Sequence, residues 1–442
     1  MRLWAVCPTP CLSVFRTGTI TAMTGPVLSA GYERKLSPIE RLWVVANRLY
    51  PPFASQLVLE GEGEFDLDLW RRATSRASIV NPGSRLVLRK HLGLSHWVDS
   101  KVPVNVHLLD GSDWNGTDPL NAPFLKRLLP AHSGPTCEIL LLTGNPKRVI
   151  LRAHHAVTDG IGGLKFVEDV FRELRGEECL GTTGRQTDLD IIRKIGTSRA
   201  KIVKNDCETP WPPITTDKAS PGTIWRRVTV PGRHSKLLAR ITQVIAHQAY
   251  ESGRCSRESA KEDRFGRNRP PVVRIDIASD MRHFFPDDPP SSANLTGMLT
   301  IEVSESDRPA DIIRAICAER RAKHEGVLIK TLAPVRWVPL HLLMQIWRYR
   351  TRRSFESGHY ATSGAISNIG LLPIHRYQGG GFKAKTGFAI PPGNEGVPVI
   401  VIFNWTDKQT EIVASAANCM ATGEQLENLL EKIKDVLMGN SH

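Results

Sequence analysis

Residues 154–160 read His154-His155-Ala156-Val157-Thr158-Asp159-Gly160, and this HHxxxDG string is where the chain declares a chemistry. An imidazole titrates near neutral pH, so a fixed histidine can take a proton from a hydroxyl, amine or thiol as that group attacks an acyl carbon. Chance would produce the pattern in only a few of ~1000 chains of this length. A metal site is a poor fit, because adjacent side chains diverge and the spacing matches none of the usual zinc arrangements. A serine hydrolase would need a GxSxG elbow, which the chain lacks.

The elements that must position these residues are legible on either side. Residues 148–153 form a short, β-branched apolar run that reads as a buried strand. After Gly162 and Gly163, the residues Leu164, Val167, Val170, Phe171 and Leu174 recur at helical spacing. The motif therefore occupies a strand-loop-helix connection. Successive residues at a strand end point to opposite sides, so one histidine faces a cavity while the other packs inward. Asp159-Gly160 supplies a tight turn, and its carboxylate either orients an imidazole or holds an arginine.

The whole chain has 442 residues, which suits two domains of about 200 residues each. Its 41% hydrophobic and 23% charged content is that of a soluble globular protein. A net charge of +13 and a pI near 9.5 allow anionic partners such as coenzyme A, an acidic carrier protein or a membrane surface. Nucleic acid is not expected, since basic blocks such as 348–353 carry little aromatic interleaving and match no recognition motif. The eight cysteines are scattered without a CxxC pair, as idle thiols in a reducing cytoplasm would be. Residues 1–32 read as a disordered leader, or as an over-extended start with Met23 in place of Met1.

No run of 18 apolar residues exists, so no membrane-spanning helix is expected. Residues 332–347 are apolar and bordered by arginines, as an interfacial helix would be, which leaves peripheral membrane contact open. Pro339 and the segment's length favour a buried core helix or a channel wall instead.

Strands and helices alternate along the chain, which argues for a layered α/β architecture. Ser37, Pro38 and Glu40 form a helix-start signature, and residues 65–77 read as an amphipathic helix. Strands are expected at 57–60, 85–88, 104–109 and 137–142. From 176 to 222 the pattern dissolves into polar residues and prolines around a short helix near 188–195. Further strands are expected near 225–230, 272–278, 300–303 and 397–405, with 411–416 as a hairpin partner. Helices are expected at 235–250, 309–323 and 423–437, with a polar loop at 251–270.

Taken together, these residues resemble the superfamily of condensation domains and coenzyme A-dependent acyltransferases. That group includes nonribosomal peptide condensation domains, polyketide-associated acyltransferases, alcohol acetyltransferases, wax ester synthases and chloramphenicol acetyltransferase. The HHxxxDG motif is its hallmark, and four further features fall in its order: residues 36–40, residues 84–86, Asp280-Met281-Arg282 with Asn294, and Ser367-Asn368-Ile369-Gly370. The resemblance spans about residues 35 to 440. It implies an α/β fold of two chloramphenicol-acetyltransferase-like subdomains in a V with a central channel. The halves would be 33–177 and 223–442, joined by a crossover at 178–222.

The resemblance also implies roles. His155 would be the catalytic base, His154 structural, and Asp159 a loop-shaping carboxylate paired with Arg282. The backbone of Gly160 and the turn at Ser367, Asn368 and Gly370 are candidates for the oxyanion and the channel wall. No metal and no tightly bound cofactor is implied. The donor would be a co-substrate, acyl-CoA or a phosphopantetheinyl thioester on an acyl or peptidyl carrier protein acting in trans. The acceptor would be an alcohol or amine, in cytoplasmic lipid or secondary-metabolite biosynthesis. Gly379-Gly380-Gly381 lacks the Lys-Ser/Thr of a P-loop and reads as a flexible turn near the channel. The Asn-Asp motif of wax ester synthases and the DFGWG signature of plant-type acyltransferases are absent. A non-catalytic condensation-like binding or scaffold protein is the rival reading, and the intact histidines argue against it.

Overall fold

The computed structural model describes residues 31–91, 94–195, 204–212, 222–259 and 271–439. The expected leader lies outside these residues except for its last two positions, as do Met1, Met23 and the end of the charged loop at 260–270.

The N-terminal half contains β1 (Glu33–Lys35), α1 (Pro38–Leu49), β2 (Ala54–Gly63), α2 (Leu67–Val80), β3 (Leu86–His91) and β4 (Leu94–Asp99). It continues with β5 (Asn105–Asp110), β6 (Cys137–Thr143), β7 (Lys147–His154) and α3 (Gly160–Leu174). α4 (Asp188–Ile195) follows. Beyond it come β8 (Thr223–Pro231), α5 (Leu237–Ser259), β9 (Arg274–Asp280), β10 (Thr296–Glu302), α6 (Pro309–Arg321), α7 (Val327–Leu332) and α8 (Leu340–Ser357). The chain closes with β11 (Gly364–Leu371), β12 (Gln378–Gly379), β13 (Phe382–Ile390), β14 (Ile400–Trp405), β15 (Gln409–Ala417) and α9 (Gly423–Met438).

Local chemistry explains where the key elements begin. Ser37 and Glu40 form a reciprocal capping box around Pro38 and start α1. Glu40 is buried and also binds Arg34 and the Trp97 indole, so the cap fixes α1 against β4. In β6 every residue from Cys137 to Leu142 is buried, as a strand covered on both faces requires.

Two six-stranded sheets form the halves, in the orders β12-β13-β2-β7-β6-β5 and β10-β9-β11-β14-β15-β8, beside a small β1-β4-β3 sheet. The fold is α/β with two subdomains set as a V, and the motif loop lies at their junction, where Asp159 meets Arg282 and Leu295. At the far end the halves are joined by a buried ion network. Arg227 on β8 bridges Glu60 on β2 and Glu411 on β15, each at 2.9 Å.

The structure departs from the sequence reading at four places. β13 comes from the segment assigned to the second half but pairs along β2 in the first sheet. Gly61 permits this, since a Cβ there would stand 2.1 Å from the Lys383 carbonyl oxygen. Gly379-Gly380-Gly381 turns from β12 into β13 with positive φ throughout, at the Gly63 end of β2. The motif is at the other end, where Ala54 faces His154, so this turn is remote from it. α5 runs on to Ser259 through what was expected to be loop.

The fourth departure concerns the apolar segment 332–347, which is buried on one side only. Pro339 does not interrupt a core helix but caps α8, and Trp337, Leu342 and Ile346 stand exposed. Leu340 and Leu343 of this run are buried, and Val335, Val338, Met344 and Trp347 pack partly against the core, so α8 covers the N-terminal half with one side and leaves the other exposed.

Candidate active site

β7 delivers the two histidines to opposite faces. The His154 amide donates to Thr136 O at 2.8 Å and the His155 amide, one residue past the end of β7, to Phe53 O at 3.0 Å, so the backbone is pinned at both residues. Their side chains therefore diverge.

His154 is fully buried beside the Trp97 ring, whose centroid is 6.4 Å away. Its Nδ1 accepts the Ala156 amide at 3.1 Å, which places the proton on Nε2, where no partner receives it. Burial, reinforced by the neighbouring His155, pushes its pKa down to about 3. It is thus a neutral packing group at any working pH.

His155 faces the other way and is only half-buried. Its ring lies between Trp43 of α1, stacked at 5.3 Å and 17°, and Phe53, tilted at 5.7 Å. Nδ1 is 2.7 Å from Ser55 Oγ and 3.4 Å from the Thr158 carbonyl oxygen. A carbonyl oxygen only accepts, so the proton belongs on Nδ1 and the lone pair on Nε2. Nε2 makes no hydrogen bond among the described residues and, unlike that of His154, is not a sealed atom. Burial lowers the His155 pKa, against the opposing pull of Thr158 O and Asp159, so the ring is unprotonated at neutral pH.

Asp159 is 3% exposed and holds the loop. It caps α3 through the Gly162 amide at 2.9 Å, and accepts from the Leu295 amide at 2.9 Å and from Thr296 Oγ1 at 3.2 Å. Arg282 grips it in a fork, at 2.9 and 3.0 Å. Burial alone would raise its pKa, but the Arg282 charge and these bonds outweigh burial and hold it below the ordinary carboxylate range. Arg282 is itself tied to the carbonyls of Ser291 and Ala293 and to Asp280. Asn294 Nδ2 donates to the His155 carbonyl at 3.1 Å, so the second half fixes the motif backbone as well.

Two glycines in the loop have different reasons. A Cβ on Gly162 would stand 2.3 Å from Thr158 Oγ1 and 2.5 Å from Ser292 O, so that position admits no side chain. Gly160 is exposed and a Cβ there would meet nothing within 4 Å; as the first residue of α3 its amide has no acceptor within the helix.

The remaining candidates are placed differently. Ser367, Asn368 and Gly370 lie on β11, at a bulge in its pairing with β14. No hydrogen bond among the described residues joins them to the motif, and Asn368 is exposed. The side chains that sequence reasoning missed are Ser55, Trp43 and Phe53. Their signal was weak: a serine in a strand and aromatics in apolar runs look like ordinary core pattern.

The cavity at the far end of α3, about 450 Å³, is lined by Arg172, Arg175, His375 and Arg376. It lies ~20 Å from Gly160 along the helix. Its arginines are engaged by Glu168 and Glu177, so it offers no free cations to the chemistry. Burial pushes the Cys137 thiol up to about 12, which leaves that thiol without a nucleophilic role. Among the described residues no three His, Cys, Asp or Glu side chains gather as a metal would require.

No family profile matches the chain, and no curated protein does. Solved structures do. The starter condensation domain of rhizomide synthetase RzmA superposes with a TM-score of 0.60 at 14% identity, covering 93% of this chain and 97% of that one. A variant of that domain in complex with C8-CoA gives 0.60 at 14% identity, covering 92% and 95%. The epimerization domain of the third module of tyrocidine synthetase B gives 0.55 at 12% identity, covering 93% and 97%. Over nearly its whole length, with the HHxxxDG loop at the junction of its two halves, this chain has the condensation-domain fold.

Proposed function

We propose that the protein is an acyltransferase that moves an acyl group from a thioester donor to a hydroxyl or amine, with His155 as general base. The observation that carries this reading is the state of the His155 ring. Nδ1 is anchored by Ser55 and Thr158 O, Trp43 and Phe53 fix the ring plane, and Nε2 keeps its lone pair free of any hydrogen bond among the described residues. The lowered pKa keeps that lone pair available at neutral pH.

The acceptor's oxygen or nitrogen attacks the thioester carbonyl while Nε2 takes its proton. The carbonyl π pair moves to oxygen, where the Gly160 amide at the α3 N-terminus stabilises it. Collapse of the tetrahedral adduct breaks the C–S bond, and the leaving thiolate recovers the proton from Nε2. The products are an ester or amide and a free thiol. No residue besides His155 changes protonation, which suits a site where positioning two substrates contributes more than the base itself.

The donor is acyl-CoA or a phosphopantetheinyl thioester on a carrier protein, used as a co-substrate. A solved relative in fold was captured with C8-CoA, which supports the first of these. The test is to incubate the purified protein with a panel of acyl-CoAs against alcohols and amines, reading products by mass and free thiol by colour. Thiol release that depends on the acceptor supports the reading. A folded protein that releases none with any pair favours a binding or scaffold role.

A further inference from the structure

The arrangement of α8 and the turn before it points to a second surface. Leu342, Ile346 and Tyr349 lie four and three residues apart on α8 and share its outer face. All three are exposed, Tyr349 at 63%, and Trp337 in the preceding turn is exposed at 69%. Single exposed apolar residues are ordinary, but an aromatic and aliphatic stripe along one helix is not.

The charge around this stripe is predominantly positive, with Glu356 at the end of α8 paired to Arg352 at 2.7 Å. Residues 326–355 hold six lysines and arginines, Lys330, Arg336, Arg348, Arg350, Arg352 and Arg353, with no Asp or Glu among them. The arginines are exposed and flank the apolar face, and Arg336 lies over the Trp337 ring at 5.0 Å. Amphipathic indole and phenol rings combined with basic side chains are the chemistry of a membrane-water interface. Among the described residues no helix is long and apolar enough to cross a membrane.

We propose that α8 and the turn at Trp337 dock the protein onto an anionic phospholipid surface. The stripe enters the headgroup layer and the arginines bind the lipid phosphates. An acidic protein would satisfy the charge, but amphipathic indole and phenol rings beside exposed aliphatic side chains and arginines match the headgroup layer more closely.

The position of the face gives docking a purpose. On its inner side α8 sends Leu343 into the N-terminal core, and Trp347 packs into the small cluster of Ala46, Tyr50 and Phe53 together with Trp43. Trp43 and Phe53 are the rings that enclose His155. One helix thus separates the docked surface from the base, so a substrate dissolved in lipid would enter beside Trp43. This last step rests on the acyl-transfer reading, whereas the docking does not.

The test is flotation of the full chain with vesicles of phosphatidylcholine alone or phosphatidylcholine mixed with phosphatidylglycerol, at low and high salt. The wild type is expected to float with the mixed vesicles and to be released by salt. Trp337→Ser with Ile346→Ser should lose binding. Arg348→Gln with Arg350→Gln should weaken it by roughly tenfold or more and erase the preference for anionic lipid. Both variants should keep the wild-type rate with water-soluble substrates, which separates failure of docking from failure of the chemistry. Absence of flotation in the wild type, or flotation unaffected by both variants, overturns the proposal. So does dimerisation or carrier-protein binding that the same variants abolish while vesicles are ignored.

Discussion

Removing the guanidinium of Arg282 by Arg282→Met should destabilise the protein by ~3–5 kcal/mol, because it strands a buried carboxylate. The size follows from the geometry: Asp159 is 3% exposed and loses both limbs of its fork, at 2.9 and 3.0 Å. Its three other donors, the amides of Gly162 and Leu295 and the Thr296 hydroxyl, remain but carry no charge to balance it. Asp159→Asn should cost less, about 1–3 kcal/mol, since Arg282 keeps Asp280 and two carbonyls.

The double variant should be less damaged than the sum of the singles by about 1–3 kcal/mol. Urea unfolding of all four proteins, followed by tryptophan fluorescence, measures this. The pH dependence gives an independent reading. The folded pKa of Asp159 is depressed below its ordinary 3.8, so its contribution is present above that value and lost as pH falls through the folded one. The gap between wild type and Arg282→Met should therefore close in acid. Single variants within about 1 kcal/mol of wild type, or costs that simply add, would refute the clamp.

Other consequences can be measured directly. Ser55→Ala removes the 2.7 Å contact to Nδ1 and should lower kcat/KM about five- to tenfold while leaving stability within ~1 kcal/mol. Stability should fall as pH drops below the ordinary histidine value of 6.5, because buried His154 resists protonation until about 3 while the unfolded chain does not. The slope is up to ~1.4 kcal/mol per pH unit for this one group, and His154→Phe should flatten it in an acid titration of the urea midpoint. Glu411→Ala leaves Arg227 with one carboxylate in the far clamp and should cost ~3 kcal/mol in the same urea assay, with no change in kcat/KM.

Much of this was legible in the residue order, and the rest was not for physical reasons. Period and caps read well where burial follows one simple pattern, as in α1 with its Ser37-Glu40 box or in the largely apolar β6. The divergence of His154 and His155 follows from strand geometry alone. Arg282, 123 residues from Asp159, was named from the resemblance and stands against that carboxylate.

Long-range pairings without a local signature were hidden. Nothing in the alternation of β13 says that it joins β2 rather than its sequence neighbours, and the glycine that admits it, Gly61, sits over 300 residues away. Ser55 and the Trp43-Phe53 sandwich are positions in ordinary strand and helix patterns that become significant only when β2 and α1 meet at the motif. Residues 332–347 are only half of what their hydrophobicity suggests, since composition does not say which side of a helix meets a neighbour: Leu340 and Leu343 reach the core while Trp337, Leu342 and Ile346 stand exposed.

The central claim is that His155 Nε2 is the base, and the decisive measurement is the steady-state rate of thiol release by His155→Ala with acyl-CoA and an acceptor found active with the wild type. The account predicts a fall of roughly 10²–10⁴-fold in kcat in a protein that unfolds at the wild-type urea midpoint. A folded His155→Ala variant that transfers the acyl group at near the wild-type rate would contradict it, as would a His154→Ala variant equally folded and fully inactive.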